Sequence, residues 1–345
     1  MLLRPPLPGV RLGDDAGHPR SALTRRGFLT AGALTGLLTV AGCGSGTRAS
    51  GDPAPAGRTI EHPLGTATIP VAPQRIVSLD SNGGLQVALE LGVPLIASET
   101  LQGQVAVPPY VPGPAPGFTE LGFNQLNLEQ LVALNPDLIV GNTQRLQEHY
   151  EQLAAIAPTV SYENAGRGAV WQDAVGFLGD VLGAGPEMER RLASYQERVA
   201  GLAATHAGTI GRYSVALLRF TSDELRIIRG QIFGSAVLAD AGLRRPPSTD
   251  APSVQQTYVS VSEESVGLLA DADVLLYVVG GGGFVDKAQD TFERYATGGL
   301  WEKLPAVQAG RVAALDPVAW WDGYSVSAGL TCLDELDRVL GGLPA

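Results

Sequence analysis

The stretch from Pro186 to His206 reads PEMERRLASYQERVAGLAATH. Met188, Leu192, Tyr195, Val199 and Leu202 recur at steps of four, three, four and three, the period of one helical face. Glu187 and Arg191 sit four apart in the favourable acid-first order. Pro186 suits a first helical turn, where a missing N–H is no loss. The stretch would span roughly 31 Å as a helix, close to a domain diameter. On both sides of it, short β-branched runs alternate with helical runs. The expected fold is α/β: two mostly parallel-sheet lobes joined by one long rigid helix, with a ligand cleft between them. An ordinary surface helix inside one large domain would also satisfy the helical pattern taken alone.

The first 42 residues read as a targeting segment. Thr24-Arg25-Arg26-Gly27-Phe28-Leu29 leads into a Gly- and Ala-rich apolar run ending Val40-Ala41-Gly42-Cys43. A basic region, a short apolar core and small residues before a cut site make an export signal. The paired arginines resemble a twin-arginine signal. Val-Ala-Gly-Cys resembles a bacterial lipobox, which implies lipidation of Cys43; a plain signal peptide cut nearby or an apolar anchor would be the alternatives. Residues 43–57 are a Gly/Pro/Ser-rich tether.

Residues 1–42 hold five Arg and two Asp, so the remainder has 19 basic and 33 acidic residues, a net of −14. That balance argues against nucleic acid and against a polybasic membrane surface. Cys332 is the one cysteine past Cys43 and sits in an apolar helical pattern, so it reads as a small buried hydrophobe. The four histidines are scattered without metal-ligand spacing.

The first lobe is expected over 58–175, an inter-lobe helical segment over 176–206 and the second lobe over 207–345. A hairpin should turn at Leu64-Gly65, and strands are expected at 75–79, 93–97, 136–141 and 159–162. In such sheets ligands sit beyond the carboxyl ends of strands. Those ends are expected to hold the candidate contacts Asp80, Ser81, Asn82, Phe123, Asn142, Thr143 and Arg145. In the second lobe, strands are expected at 214–220, 225–228, 273–279 and 311–315, and helices at 232–241, from Ser262, at 300–307 and at the C-terminus. The loop after the last strand carries Trp320, Trp321 and Tyr324. Gly280–Gly283 lacks the ending of a phosphate loop and reads as a mobile connector, with Phe284 beside it as a candidate ligand contact. A repeat links the lobes. NLEQLVALNPDLIV at 127–140 is echoed by SEESVGLLADADVLL at 262–276: a capping residue, a Glu two residues on, a helix, then an acidic turn into a strand.

The segments at 75–79, 127–141, 186–206, 233–246 (FGSAVLADAGLRRP), 259–278 (VSVSEESVGLLADADVLLYV) and 300–315 (LWEKLPAVQAGRVAAL) together resemble the helical-backbone (class III) substrate-binding proteins of ABC importers, most closely the ferric-siderophore branch. The resemblance covers about residues 58–341. It implies a lipid-anchored, extracytoplasmic, non-enzymatic receptor. This receptor would act as a monomer, bind a ferric siderophore and deliver it to an importer for iron uptake. Haem or cobalamin is the alternative cargo; for haem, Tyr162 and Tyr324 would be the candidate axial ligands.

The resemblance also implies site roles. Arg219 corresponds to a pocket arginine, and Trp320, Trp321 and Tyr324 to cleft aromatics. Arg226 and Arg229 flank the next strand, and their odd spacing lets only one reach the cleft. Glu129 and Glu264 correspond to carboxylates that dock onto arginines of the two permease subunits. A chelated iron brings its own ligands, so neither a resident cofactor nor a protein metal site is expected. Two other classes fit less well. A secreted hydrolase needs a Gly-x-Ser-x-Gly elbow, and the nearest look-alike, Gly44-Ser45-Gly46, lies in the tether. A zinc- or manganese-binding protein needs His and carboxylate ligands in the cleft.

Overall fold

A computed structural model describes residues 57–103, 105–164, 170–230, 232–249, 257–282 and 287–344. The targeting segment, the tether, Cys43 and Phe284 lie outside the described residues.

A hairpin of β1 (Gly57–His62) and β2 (Gly65–Pro70) comes first. The first sheet then follows: β3 (Ile76–Ser78), α1 (Gly83–Leu91), β4 (Leu95–Ser98), β5 (Thr119–Glu120), α2 (Leu128–Leu134), β6 (Leu138–Asn142), α3 (Thr143–Leu146), α4 (Tyr150–Ile156) and β7 (Thr159–Tyr162). Its order is β5-β4-β3-β6-β7, and every pairing is parallel. The chain builds outward from β3 in one direction and returns to build in the other. That reversal opens a crevice at the carboxyl ends of β3 and β6.

Helices α5 (Trp171–Val181), α6 (Gly185–Thr205) and α7 (Ala207–Arg212) cross to the second sheet. There β8 (Val215–Phe220), β9 (Leu225–Ile228), α8 (Phe233–Asp240), β10 (Tyr258–Val261), a 3-10 helix (Glu263–Asp271), β11 (Val274–Val279), α9 (Ala288–Ala296), α10 (Pro305–Gln308), β12 (Val312–Ala314), α11 (Pro317–Trp320) and α12 (Val326–Gly341) complete the chain. The order is β10-β9-β8-β11-β12. β8, β11 and β12 run parallel, while β9 is antiparallel to both of its neighbours.

Both faces of each sheet are covered, so the strands read as continuous apolar runs. Alternate residues go to opposite sides. Val77 and Ile139 pack outward with Leu131, Leu146 and Leu153. Ala216, Leu218 and Phe220 pack outward with Leu269, Tyr295 and Trp301. The inward residues share one cluster. It runs from Ile76, Leu138 and Val140 through Trp171, Met188 and Tyr195 to Val215, Leu217 and Leu276.

Helix α6 is the 21-residue element at the centre of that cluster, one residue earlier than its sequence pattern predicts. Met188, Tyr195, Val199 and Leu202 are buried, and Leu192 is half-buried against the same core. Two glycines let neighbouring helices close on it. A Cβ at Gly179 of α5 would lie 2.5 Å from Met188 Cβ, and one at Gly329 of α12 would lie 2.8 Å from Tyr195 Cε2. The Tyr195 hydroxyl donates to Asp240 Oδ2 of α8 at 2.8 Å, and the Trp171 ring meets Tyr195 edge-on at 4.9 Å. The helix is therefore fixed along its length to elements of both sheets.

Several local expectations are corrected. The repeat's second helix is 3-10 rather than α, and the Ser262 side chain caps no N–H there; its hydroxyl meets Ser265 Oγ at 3.1 Å. With Gly267 mid-segment, helix propensity is low. The short helix expected at 300–307 is confined to Pro305–Gln308, behind turns containing Gly298 and Gly299. The short edge strands β5 and β10 carry too little pattern to be seen in advance. Elsewhere the repeat extends to its contacts. Asp137 accepts from the N–H groups of Gln74 and Arg75 at the entry to β3, and Asp273 accepts from Ser214 N–H at the entry to β8. No helix among the described residues is long and apolar enough to cross a membrane.

Candidate functional site

A cleft of about 290 Å³ lies where the carboxyl ends of the two sheets face each other. The first lobe contributes Asp80 and Asn82 after β3, Phe123, Asn142 at the end of β6, and Tyr162 and Asn164 at and after β7. The second contributes Ile232 and Phe233 at the start of α8, Thr257, Gly282 after β11, and Trp321–Tyr324 between α11 and α12.

Asp80 is 3% exposed. It accepts from the Tyr162 hydroxyl, from Asn82 N–H at 2.9 Å and from Gly84 N–H at 3.3 Å. Burial still outweighs these bonds and raises its carboxyl pKa. Asp322 is 8% exposed and accepts from Gly282 N–H at 2.8 Å. Burial pushes it up to about 6, against the attraction of Arg219.

The cleft floor is tied across the lobes by backbone-directed bonds. Asn82 Nδ2 and Gln86 Nε2 both donate to the Asp322 carbonyl, at 2.6 and 2.7 Å. Gln86 Oε1 accepts from Tyr324 N–H at 2.9 Å and from the Tyr110 hydroxyl at 3.2 Å. One turn on, Glu90 accepts from the N–H groups of Val326 and Ser327 at the start of α12. A carboxylate there satisfies orphan N–H groups and complements the helix dipole. Gln86 and Glu90 are buried and lie in an otherwise apolar helix, which reads as core packing in the sequence.

Of the residues singled out by sequence, Asp80, Asn82, Phe123, Asn142, Tyr162, Trp321 and Tyr324 line the cleft. The others stand elsewhere. Val215, Leu217 and Arg219 share the inner face of β8, which brings Arg219 to the strand's carboxyl end, but it is 1% exposed. Its guanidinium lies 3.7 Å under the Trp321 ring, with Nε donating to Gly280 O at 2.8 Å and Nη2 to Gly281 O. Desolvation lowers its pKa to about 10. Gly280, Gly281 and Gly282 all take positive φ, and a Cβ at Gly282 would lie 2.7 Å from Trp321 Nε1 and 3.1 Å from Arg219 Nη2. These three glycines are therefore a close-packed cap on Arg219, not a loose connector.

Trp320 turns the other way, into the core, where its indole N–H donates to Glu335 Oε2 at 2.6 Å. Ser81 is buried and off the lining, and the Thr143 hydroxyl donates to Tyr162 O. Arg145 pairs with Glu99. Arg226 pairs with Glu224 at 2.5 Å and stacks over Tyr258 at 4.0 Å. Arg229 follows β9, half-buried and off the lining. Glu129 and Glu264 are exposed in the first turns of α2 and the 3-10 helix. Asn164, Phe233 and Asp322 were not singled out. Asn164 and Asp322 lie in strand-end loops that the sequence marks, while Phe233 reads as the first apolar residue of a helix.

A family model described as periplasmic binding protein matches residues 100–319. The probable siderophore-binding lipoprotein YfiY of Bacillus subtilis is 30% identical over 320 residues, covering 88% of this chain and 94% of that protein. Staphylococcus aureus SirA, in its crystal structure with staphyloferrin B, superposes with a TM-score of 0.72 at 26% identity, covering 82% of this chain and 98% of that one. The siderophore periplasmic binding protein from the fuscachelin gene cluster of Thermobifida fusca gives 0.62 at 26% identity, covering 80% and 99%. With two lobes, one continuous helix between them and a cleft at facing strand ends, the chain belongs to the periplasmic binding protein family, a family of substrate-binding receptors.

Proposed function

We propose that this protein is a membrane-tethered extracytoplasmic receptor that binds a ferric siderophore in the inter-lobe cleft and hands it to an ABC importer. The observation that carries this reading is the cleft. It joins Phe123, Tyr162, Phe233, Trp321 and Tyr324 to a few fixed polar groups, in a chain related to named siderophore-binding proteins. Iron enters as part of the chelate, so the protein supplies walls and hydrogen bonds rather than metal ligands. Haem and cobalamin have less support, since the relatives' names speak of siderophores and ferric citrate.

The alignment of α5, α6 and α12 along one core makes large hinge bending costly, so loading should involve small lobe motions. Lipid on Cys43 would hold the receptor at the membrane, working as a monomer. Glu129 and Glu264, exposed at matching positions of the repeat, would meet cationic groups of a two-subunit permease.

The test is tryptophan fluorescence of the full-length protein in detergent, titrated with ferric hydroxamate, catecholate and citrate complexes, and with haem and cobalamin. Saturable quenching by a ferric chelate, weakened in Trp321→Ala, supports the reading. Binding of haem or cobalamin alone overturns the cargo. Glu129→Ala with Glu264→Ala should abolish uptake in cells and leave chelate binding intact.

A further inference from the structure

The charges around the cleft are unevenly disposed. Asp80 and Asp322 both line it, each more than nine-tenths buried. Asp80 is satisfied by Tyr162, Asn82 and Gly84. Asp322 Oδ1 is held by Gly282 N–H, and its other carboxylate oxygen has no hydrogen bond among the described residues. Three of the nearby cations are engaged elsewhere, and Arg229 stands off the lining with its Nε buried and without a hydrogen-bond partner among the described residues. Arg219 is roofed by Trp321 and bonded to two glycine carbonyls, Arg145 is bonded to Glu99, and Arg226 is bonded to Glu224. Among the described residues none of these cations lines the cleft. The remaining polar lining is amide and hydroxyl, and the rest is aromatic or aliphatic.

A polyanionic ferric complex would bring its charge against the Asp322 carboxylate, ionised at neutral pH, beside buried Asp80, while the guanidinium groups of Arg219, Arg145 and Arg226 are already bonded to protein groups. Like charges in a low-dielectric cavity repel strongly. A hydroxamate complex with neutral chelating groups avoids that penalty. Its amides and any ammonium group can donate to Asp322 and the Asn side chains, and its methylene spacers can lie on the aromatic rings.

We propose that the cleft selects an uncharged or cationic ferric hydroxamate over polyanionic catecholate or citrate complexes, with Asp322 as the specificity-determining residue. This rests on the receptor reading above. Trp321 is a second participant: its ring lines the cleft and covers the Arg219 guanidinium at 3.7 Å, which holds the arginine in the wall and keeps it from direct contact with a bound complex.

The experiment measures affinities of the full-length protein for ferrioxamine B, ferrichrome, ferric enterobactin and ferric citrate at neutral pH. One of the two hydroxamates should bind at least about tenfold tighter than either polyanionic complex, the ratio expected from like-charge repulsion of this kind. Asp322→Asn keeps an acceptor for Gly282 N–H. It should narrow that ratio by raising affinity for the anionic complexes while leaving an uncharged hydroxamate within about threefold, as expected for removal of one like charge. Tighter binding of enterobactin or citrate by the unmodified protein overturns the selectivity and leaves the receptor reading standing. An unchanged ratio in a folded Asp322→Asn variant removes Asp322 from the proposal. No binding of any complex overturns the receptor reading and this inference with it. The unmodified protein's own ranking decides the selectivity if the variant fails to fold.

Discussion

On the first lobe's side of the cleft Asp80, Asn82, Asn142 and Asn164 stand beside Phe123 and Tyr162; on the second lobe's side Ile232, Phe233, Gly282, Trp321 and Tyr324 stand beside Thr257 and Asp322. Away from the cleft the same two sheets are alike. Asp137 and Asp273 each hold the entry of the neighbouring strand, and a helix bearing an exposed Glu precedes each. The difference follows from where each residue sits. A strand entry beside a packed helix has backbone N–H groups that need an acceptor, so the acidic residue is held in place by hydrogen bonding. A strand exit opens into a loop at the cleft, where side chains answer to the ligand and are free to differ.

If the lobes are one body, the largest loss should come from the seam between them. Trp171 packs edge-on against Tyr195 at 4.9 Å and against Phe233 at 5.1 Å, linking α5, α6 and α8. Trp171→Ala should cost about 3–5 kcal/mol, the range for an emptied aromatic site. Urea unfolding should then show one cooperative transition at lower midpoint. Two separated transitions, one per lobe, would break the picture of a shared core.

Carboxylates of the two walls give the next test. Asp322 in the folded protein titrates near 6, above the ordinary carboxyl range, so the folded state binds a proton that the unfolded chain has released. Its contribution to stability is present below about pH 4 and lost as pH rises through about 6. Between those limits stability should fall by on the order of 3 kcal/mol from this group alone. Asp80 is raised in the same sense. Urea midpoints measured at pH 4.5 and pH 7 should therefore differ less in Asp322→Asn than in the unmodified protein. An equal pH slope in both would remove Asp322 as the source.

How far the sequence reveals this arrangement depends on what kind of signal each part leaves. Helix α6 is legible because one face repeats over 21 residues. The sheets are legible because both faces are buried and their strands read as apolar runs. The cleft is legible only by location: Asp80, Asn82 and Asn142 lie at predicted strand ends, yet so do Ser81 and Thr143, which turn inward. Trp320 and Trp321 are adjacent, and a single peptide step sends one to the core and the other over Arg219. Gln86 and Glu90 leave no signal at all. Most of their partners are backbone groups more than 200 residues away, and no local pattern encodes them.

Gln86 sharpens the comparison further, since it belongs to the first lobe and serves the second. Gln86→Leu would leave Tyr324 N–H without its acceptor in a buried site, at a cost of about 1–3 kcal/mol. Amide hydrogen exchange should show Tyr324 and the first turn of α12 losing protection, while the outer elements of both lobes do not. Uniform loss of protection would mean that the bond serves global stability and not the inter-lobe junction.

The smallest expected effect lies in the repeat itself. Asn127 Oδ1 accepts from Gln130 N–H at 3.1 Å and caps α2, whereas Ser262 in the corresponding place makes no such bond and its helix is 3-10. Asn127→Ala should cost about 1 kcal/mol, the usual loss for a removed cap. Ser262→Ala should cost less than about half of that, since no orphan N–H loses a partner. The asymmetry also bears on docking, because Glu129 stands on a capped α-helical turn and Glu264 on an uncapped one. Equal losses at both sites in matched urea titrations would show that Ser262 caps in solution, and that the two lobes present their carboxylates on equivalent supports.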